Sequence, residues 1–292
     1  MVSTPSLTRI EIFPIKSLDG VVVDAVHVLP SGALLGDRQY ALTDEQGRFV
    51  NGKSTPLIHQ LRASYSWDSA SGESAPTLRV TLWKAGEAAQ ETFVLSGQCR
   101  APSASESQNP NIQNDEGHKS LNAWLSNFFG KPITLRENSV TGFPDDLKAN
   151  GPTLVSTATL ERVATWFPDL TLTDIRRRFR TNLEISGVPP FWEDRLYGDG
   201  TQLSIFQVGS TRFVATNPCQ RCVVPTRNSW TGEAYLKFQR RFSENREANL
   251  PNWAPRSQFN HFYKLAVNTR LAETTVSEKS PFLLRVGDWV SH

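Results

Sequence analysis

Residues 216–226 read TNPCQRCVVPT and hold two of the three cysteines of a 292-residue chain, Cys219 and Cys222, with Arg221 against the second. Four chemistries use such a pair: a disulfide, a zinc site, a redox dithiol, or a single thiolate on another metal. Zinc takes four ligands, and the remaining candidates are Cys99 and five scattered histidines, His27, His59, His118, His261 and His292, none at paired spacing. A thioredoxin-type dithiol sits at a helix N-terminus after a strand, whereas CVVPT runs on into β-branched residues and a proline. An iron–sulfur cluster needs four thiolates, more than three cysteines supply. Two readings stay open: a pair of buried structural cysteines, or one functional thiolate at a strand end, beside a cation and suited to a soft metal.

Composition bounds the setting of that segment. With 38% hydrophobic residues the chain buries a full core, as one large domain or two smaller ones. Its 31 basic and 29 acidic residues leave a net charge of only +2, so no bulk field attracts nucleic acid or an anionic membrane, and any anion binding must be local. Lys16, Asp19 and Asp24 interrupt the N-terminal segment, which excludes a signal-peptide core, and no run approaches the ~20 apolar residues of a membrane helix. An odd, small number of cysteines suits a reducing compartment. A cytoplasmic location is expected.

The patterning is mainly β with some α. TRIEIFPI alternates, GVVVDAVHVL is rich in β-branched residues, RQYALTDEQGRFV suggests two short strands about a turn from Asp44 to Gly47, and LRVTLWKAG turns Val80 and Leu82 inward. Residues 99–117 are too polar to pack and read as a surface loop. HKSLNAWLSNFFG then places Leu121, Trp124, Leu125, Phe128 and Phe129 at helical spacing before a glycine stop. Further on, GPTLVSTATLERVATWFPDL predicts a strand ending near Ser156, with Thr157 as helix N-cap. RRRFRTNLEISG, TQLSIFQVGSTRFVATNPC, FNHFYKLAVNT and PFLLRVGDWV read as strands, and the run RRRF at 176–179 as an exposed face.

Three other stretches supply fixed donors. FPIKSLDG puts Lys16 and Ser17 after a proline-broken strand, LLGDRQYAL puts Arg38 at the entry to a strand, and FRTNLEISG puts Arg180 and Asn182 before an apolar stretch. Singly, each is a solvated charge at a strand end. Together they suit an anionic, polyfunctional small molecule, with arginine bidentate to phosphate, asparagine paired to a heterocycle edge and lysine as a point charge.

IFPIKSLDG, GDRQYAL, FRTNLEISG and PCQRCVVPTRNSWTGE, in that order from residue 10 to about 233, resemble the MOSC-domain proteins that carry an N-terminal MOSC β-barrel, such as the mitochondrial amidoxime-reducing component and its bacterial counterparts. The resemblance implies an N-terminal MOSC β-barrel region over residues 1–135, a MOSC β-barrel domain over 136–292, and molybdenum cofactor, a pterin dithiolene with a terminal phosphate. By similarity Cys222 is the catalytic ligand to molybdenum and Cys219 is not a ligand. Lys16, Ser17, Arg38, Arg180 and Asn182 would contact pterin and phosphate, with Gln220 and Arg221 flanking the ligand. Gln220 stands where close relatives have serine, Thr181 where they have proline, and Phe262 where a cofactor-contacting tyrosine occurs.

The activity implied is reduction of an N-hydroxylated compound (an amidoxime, hydroxylamine or N-hydroxylated base) to the amidine or amine. Electrons must come from outside, because the chain has neither a cluster nor a dinucleotide fingerprint. A cytochrome- or ferredoxin-type donor protein with its own reductase is the expected partner. No membrane anchor and no appended ferredoxin-like domain are expected. The alternative from another class is a carrier that holds the cofactor, or a persulfide on Cys222, and passes it on.

Overall fold

A computed structural model describes residues 4–67, 77–95, 116–199, 204–272 and 282–292. Cys99 and the polar stretch up to residue 115 fall outside the described residues, whereas Glu116 and Gly117 already belong to a helix. In chain order, the first half holds β1 (Ser6–Ile12), β2 (Val21–Val23), β3 (Ala25–Val28), β4 (Tyr40–Thr43), β5 (Leu61–Trp67), β6 (Leu78–Lys84), β7 (Gln90–Leu95), α1 (Glu116–Phe129) and β8 (Thr134–Glu137). The second half holds β9 (Leu154–Ser156), α2 (Thr157–Ala164), α3 (Leu172–Phe179), β10 (Leu183–Ser186), β11 (Ser204–Val208), β12 (Thr211–Gln220), α4 (Phe238–Ala248), β13 (Lys264–Leu271), β14 (Phe282–Arg285) and β15 (Val290–Ser291). The protein is mainly β, as the patterning predicts.

The largest sheet runs β15-β11-β12-β13-β9-β10-β1-β2. Its far end returns to β1: Leu7 N–H donates to Asp288 O (2.7 Å), Val290 N–H donates to Pro5 O (2.8 Å), and Ser6 bridges to Trp289. The sheet thereby closes into a barrel around Leu7, Ile10, Leu183, Ile185, Phe206, Val208, Phe213 and Val267. Closure removes the unpaired edges that an open sheet exposes. Leu7 and Ile10 both face inward although they are three residues apart, because the register with β10 shifts between Leu7 and Arg9.

A second core belongs to the first half. β5, β6 and β7 form an antiparallel sheet, and β4 pairs with β8. α1 covers them with Leu121 and Leu125. Val80 and Leu82 are fully buried there, each stabilising the fold by about 1.5–3 kcal/mol relative to exposure. The two halves are interleaved: β1 pairs with β10, and β3 with β14. The N-terminal residues therefore build part of the barrel wall before leading into the core of the first half.

A third core is aromatic and lies between α2, α3 and α4. Phe167 stacks on Phe238 at 4.3 Å, and Phe179 and Trp166 both contact Phe242. Here the structure corrects two expectations. The cap of α2 is Ser156, whose Oγ accepts from Thr159 N–H at 3.1 Å; the Thr157 hydroxyl instead donates to Glu184 at 2.8 Å. RRRF is neither strand nor exposed face but the last turn of α3, which a capping box of Thr171 and Asp174 begins. Arg176 binds Glu184 through two nitrogens, while Arg178 is 4% exposed and Phe179 fully buried. A helix points four successive residues to all sides, so a charged run on it cannot all face water.

Candidate functional site

One cavity of about 870 Å³ opens between the two halves, within the size range of small-molecule and cofactor pockets. Lys16, Ser17, Arg38, Arg180, Asn182, Gln220, Arg221 and Cys222 all line it. Four stretches separated by up to some 200 residues in the chain are thus brought to one space.

Lys16 and Ser17 follow β1 and are pinned to β4: Lys16 N–H donates to Tyr40 O (2.7 Å) and Tyr40 N–H to Pro14 O (3.0 Å). Leu18 N–H then donates to Ile15 O (3.1 Å), closing a turn in which Ser17 has φ +73°. The Lys16 ammonium donates to Phe143 O and to Asp145 Oδ1, both at 2.8 Å. Burial pushes its pKa below the ordinary lysine range, an effect that Asp145 partly offsets.

Arg38, at φ +49°, precedes β4 and binds Asp37 and Asn182 through Nη1 and the Arg180 carbonyl through Nη2 (3.3 Å). Burial works against its charge, but Asp37 and Asp145 outweigh it and hold the pKa above the usual value. Gly142 lets the neighbouring segment close over Arg38, since at its φ of +62° a Cβ would lie 2.7 Å from Asp37 O.

Arg180 ends α3 as its left-handed C-cap, where glycine is the usual occupant. Its guanidinium lies 4.1 Å from the Phe13 ring centre, and that of Arg38 lies over the same ring at 5.0 Å. The Arg180 Nη2 atom is buried with no hydrogen-bond partner. Burial, and after it the charge of Arg38, push the pKa down to about 10. An unsatisfied buried donor costs about 1–3 kcal/mol, and more on a charged group, which an anionic ligand in the cavity would recover. Asn182 is different: its Oδ1 accepts from Thr153 N–H and Oγ1 (both 3.2 Å), and its Nδ2 donates to Glu11 O (3.1 Å). The amide expected to read a heterocycle edge ties β1 to residue 153 instead.

The thiols close the cavity at the end of β12. Pairing with β13 shifts register between Pro218 and Gln220, the kind of bulge that re-aims a side chain. Arg221 Nη1 donates to Cys219 Sγ at 3.2 Å, and its Nη2 donates to Phe179 O. The cation that the sequence suggested for the second cysteine therefore serves the first. Gln220 is exposed. Cys219 and Cys222 are free and half-buried, neither a disulfide nor a buried pair. Cys222 neighbours Tyr263, whose buried phenol is pushed above its ordinary pKa by burial and by that sulfur. Phe262, placed by similarity at a cofactor-contacting position, instead stacks on Phe259 (5.8 Å) and does not line the cavity.

Several lining residues carried no usable sequence signal. His59, Arg62, Arg178 and Arg227 belong to this group, as do Asn150 and Gly151. Arg178 reaches the carbonyls of Pro225 (2.8 Å) and Arg227, fixing the turn that follows Cys222.

Residues 4–132 match the MOSC N-terminal beta barrel domain, and residues 153–291 match the MOSC domain. The chain is a MOSC-domain protein. This MOSC-domain protein is 26% identical to human molybdenum cofactor sulfurase over 277 aligned residues, covering 84% of this chain and 29% of that protein. The chain thus spans less than a third of the length of the relative it matches. Among the described residues no helix is long and apolar enough to cross a membrane.

Proposed function

We propose that this MOSC-domain protein binds molybdenum cofactor and reduces N-hydroxylated compounds to amidines or amines, with electrons from a separate protein donor of cytochrome or ferredoxin type. The observation that carries the reading is the convergence of Cys222 with Lys16, Arg38 and Arg180 on one cofactor-sized cavity, where a buried guanidinium nitrogen lacks a partner. The donor set fits the group. Arg38 and Arg180, aligned on Phe13, present two guanidiniums to a phosphate, and Cys222 offers a soft ligand for molybdenum. When bound, the cofactor supplies the two-electron cleavage of an N–O bond.

The protein's residues do the remaining work. Each N–OH group reduced consumes two electrons and two protons and releases water. Lys16 and the two arginines hold the anionic end of the cofactor, Asn182 keeps β1 and residue 153 in place behind them, and Arg178 fixes the turn after Cys222. Arg221 and Cys219 tie the end of β12 to Phe179 O at the end of α3. The cofactor would then meet a wall already assembled, so little reorganisation opposes binding.

Similarity to molybdenum cofactor sulfurase supports a second reading, in which the protein holds the cofactor, or sulfur on Cys222, and passes it on. One preparation separates the two. Protein from a cofactor-producing host is assayed for molybdenum and for turnover of a benzamidoxime with reduced viologen as chemical donor. The reductase reading expects near-stoichiometric molybdenum and turnover in the wild type and in Cys219→Ser, and neither in Cys222→Ser. Molybdenum without turnover favours the carrier; equal molybdenum in wild type and Cys222→Ser removes the ligand assignment. Turnover with reduced nicotinamide alone would contradict the need for a donor protein.

A further inference from the structure

The cavity holds a second set of donors besides the residues assigned to the cofactor. His59 sits in a short 3-10 turn (Pro56–Gln60), Arg62 in β5, and Arg227 just after the turn that follows Cys222. All three line the cavity, and His59 Nε2, Arg62 Nε and Arg227 Nε are each buried with no hydrogen-bond partner. Arg62 is 3% exposed and firmly held: Nη2 binds Asp19, Nη1 donates to Ser229 O (2.8 Å), and the guanidinium lies 4.0 Å from the Trp230 ring centre. Arg227 Nη1 donates to Gly232 O at 3.2 Å. The unused Nε–H directions of the two arginines are therefore fixed by the fold.

Charge decides between water and an anion as the missing partner. Among the described residues ten lysine and arginine side chains and five carboxylates line the cavity, although the whole chain carries only +2. A phosphate monoester brings about two negative charges, too few to balance that excess. Burial holds the His59 imidazole down at about 4; a contact with the Gly52 backbone partly offsets this, and the guanidiniums of Arg180, Arg227 and Arg62 add to the lowering. Asp19 is bound to Arg62 and lies 3.6 Å from Arg177, so it is shared between two cations.

We propose that His59, Arg62 and Arg227 form a second anion subsite, separate from the cofactor set, that takes an acidic group (phosphate, sulfonate or carboxylate) of the substrate. Arg180 stands between the two sets. The inference depends on the reductase reading only in calling its ligand a substrate. The buried, fixed donors select three-oxygen or two-oxygen anions over neutral groups, which leave those charges unmatched. N-hydroxylated compounds carrying an acidic substituent are therefore the favoured substrate class.

The test is calorimetric titration of inorganic phosphate into the molybdenum-loaded protein, where the cofactor already occupies its own residues. Phosphate binding to the loaded wild type is expected, weakened about tenfold or more in Arg227→Gln and in His59→Gln and partly restored in Arg227→Lys. The His59 imidazole resonances should move with the same saturation curve. Melting without phosphate checks the fold, and if Arg227→Gln melts early, His59→Gln carries the comparison. Equal affinity in wild type and both variants would overturn the proposal. So would phosphate binding that loading abolishes, since the cofactor would then own these donors. Molybdenum is measured in the same samples: a protein that takes none yet binds phosphate through His59 sinks the reductase reading and leaves the subsite standing.

Discussion

Replacing Arg180 by methionine should stabilise the cofactor-free protein while destroying its ability to keep the cofactor. The guanidinium is held from an ordinary 12.5 down to about 10, mainly by burial, and at about 1.4 kcal/mol per pKa unit its charge costs roughly 3 kcal/mol in the empty cavity. Against this stands the stack on Phe13 at 4.1 Å, worth about 0.5–2 kcal/mol. Methionine matches the length, keeps an apolar contact with the ring and carries no charge. The net expectation is about 1–2 kcal/mol of added stability, read by urea unfolding of protein made in a host without the cofactor. The same change removes charge-assisted bonds to the anionic end of the cofactor, each worth about 1.5–3 kcal/mol. Molybdenum retention after dialysis should therefore fall at least tenfold. A variant less stable than wild type without cofactor, or one that retains molybdenum normally, would show that Arg180 is a structural cation rather than one waiting for an anion.

Glu193 is buried beside Asp194, and burial followed by that neighbour pushes its carboxyl up to about 7. The folded state then holds a proton that the unfolded state releases near 4.5, so stability should fall by about 3 kcal/mol as pH rises from 4.5 to 7 and level off above. Glu193→Gln should remove that slope and be the more stable protein at pH 8, as chemical unfolding at several pH values would reveal; an unchanged slope refutes the assignment. At α2, Ser156→Ala should cost about 1–2 kcal/mol and expose the Thr159 amide to exchange. Thr157→Val, which loses only the bond to Glu184, should leave that amide protected, and the reverse pattern would restore Thr157 as the cap.

How much of this site was legible depends on whether a residue's role is local or comes from a distant segment. Lys16, Arg38, Arg180 and Cys222 could be read because each lies in a short stretch with its own pattern. Arg178 could not, because its burial comes from carbonyls 47 and 49 positions away, and a run of three arginines carries no mark of that. His59 likewise owes its surroundings to Gly52 and to the charges of Arg180 and Arg227 from distant segments. Another miss had a signal. Thr171 and Asp174 are spaced as a capping box, which should have turned RRRF into a helix end. Arg221, by contrast, lies one residue past the end of β12 and beyond its bulge, so its turn toward Cys219 carried no such mark. α4 offers less, since Lys237 at its start gives no side-chain cap and only Phe238 and Phe242, four apart, mark the buried face.

Backbone strain gives the site an independent signature. Among the described residues six non-glycine positions have positive φ, and three are Ser17, Arg38 and Arg180. Each costs of order 1 kcal/mol, so the wall of the cavity stores about 3 kcal/mol of conformational energy, a sizeable part of an ordinary margin of stability. What holds Arg38 there is specific: its own N–H donates to Phe13 O, and Asp37 accepts from Phe13 N–H while binding the Arg38 guanidinium. Phe13 thus fixes one guanidinium through its backbone and aligns both through its ring. The two like charges over one ring repel, and that repulsion adds to burial in lowering the Arg180 pKa. Strain, burial and repulsion all oppose this arrangement in the empty protein, and an anion placed between the two guanidiniums offsets the last two at once. A fold selected for stability alone would have put glycine at the helix end and an apolar residue on the ring.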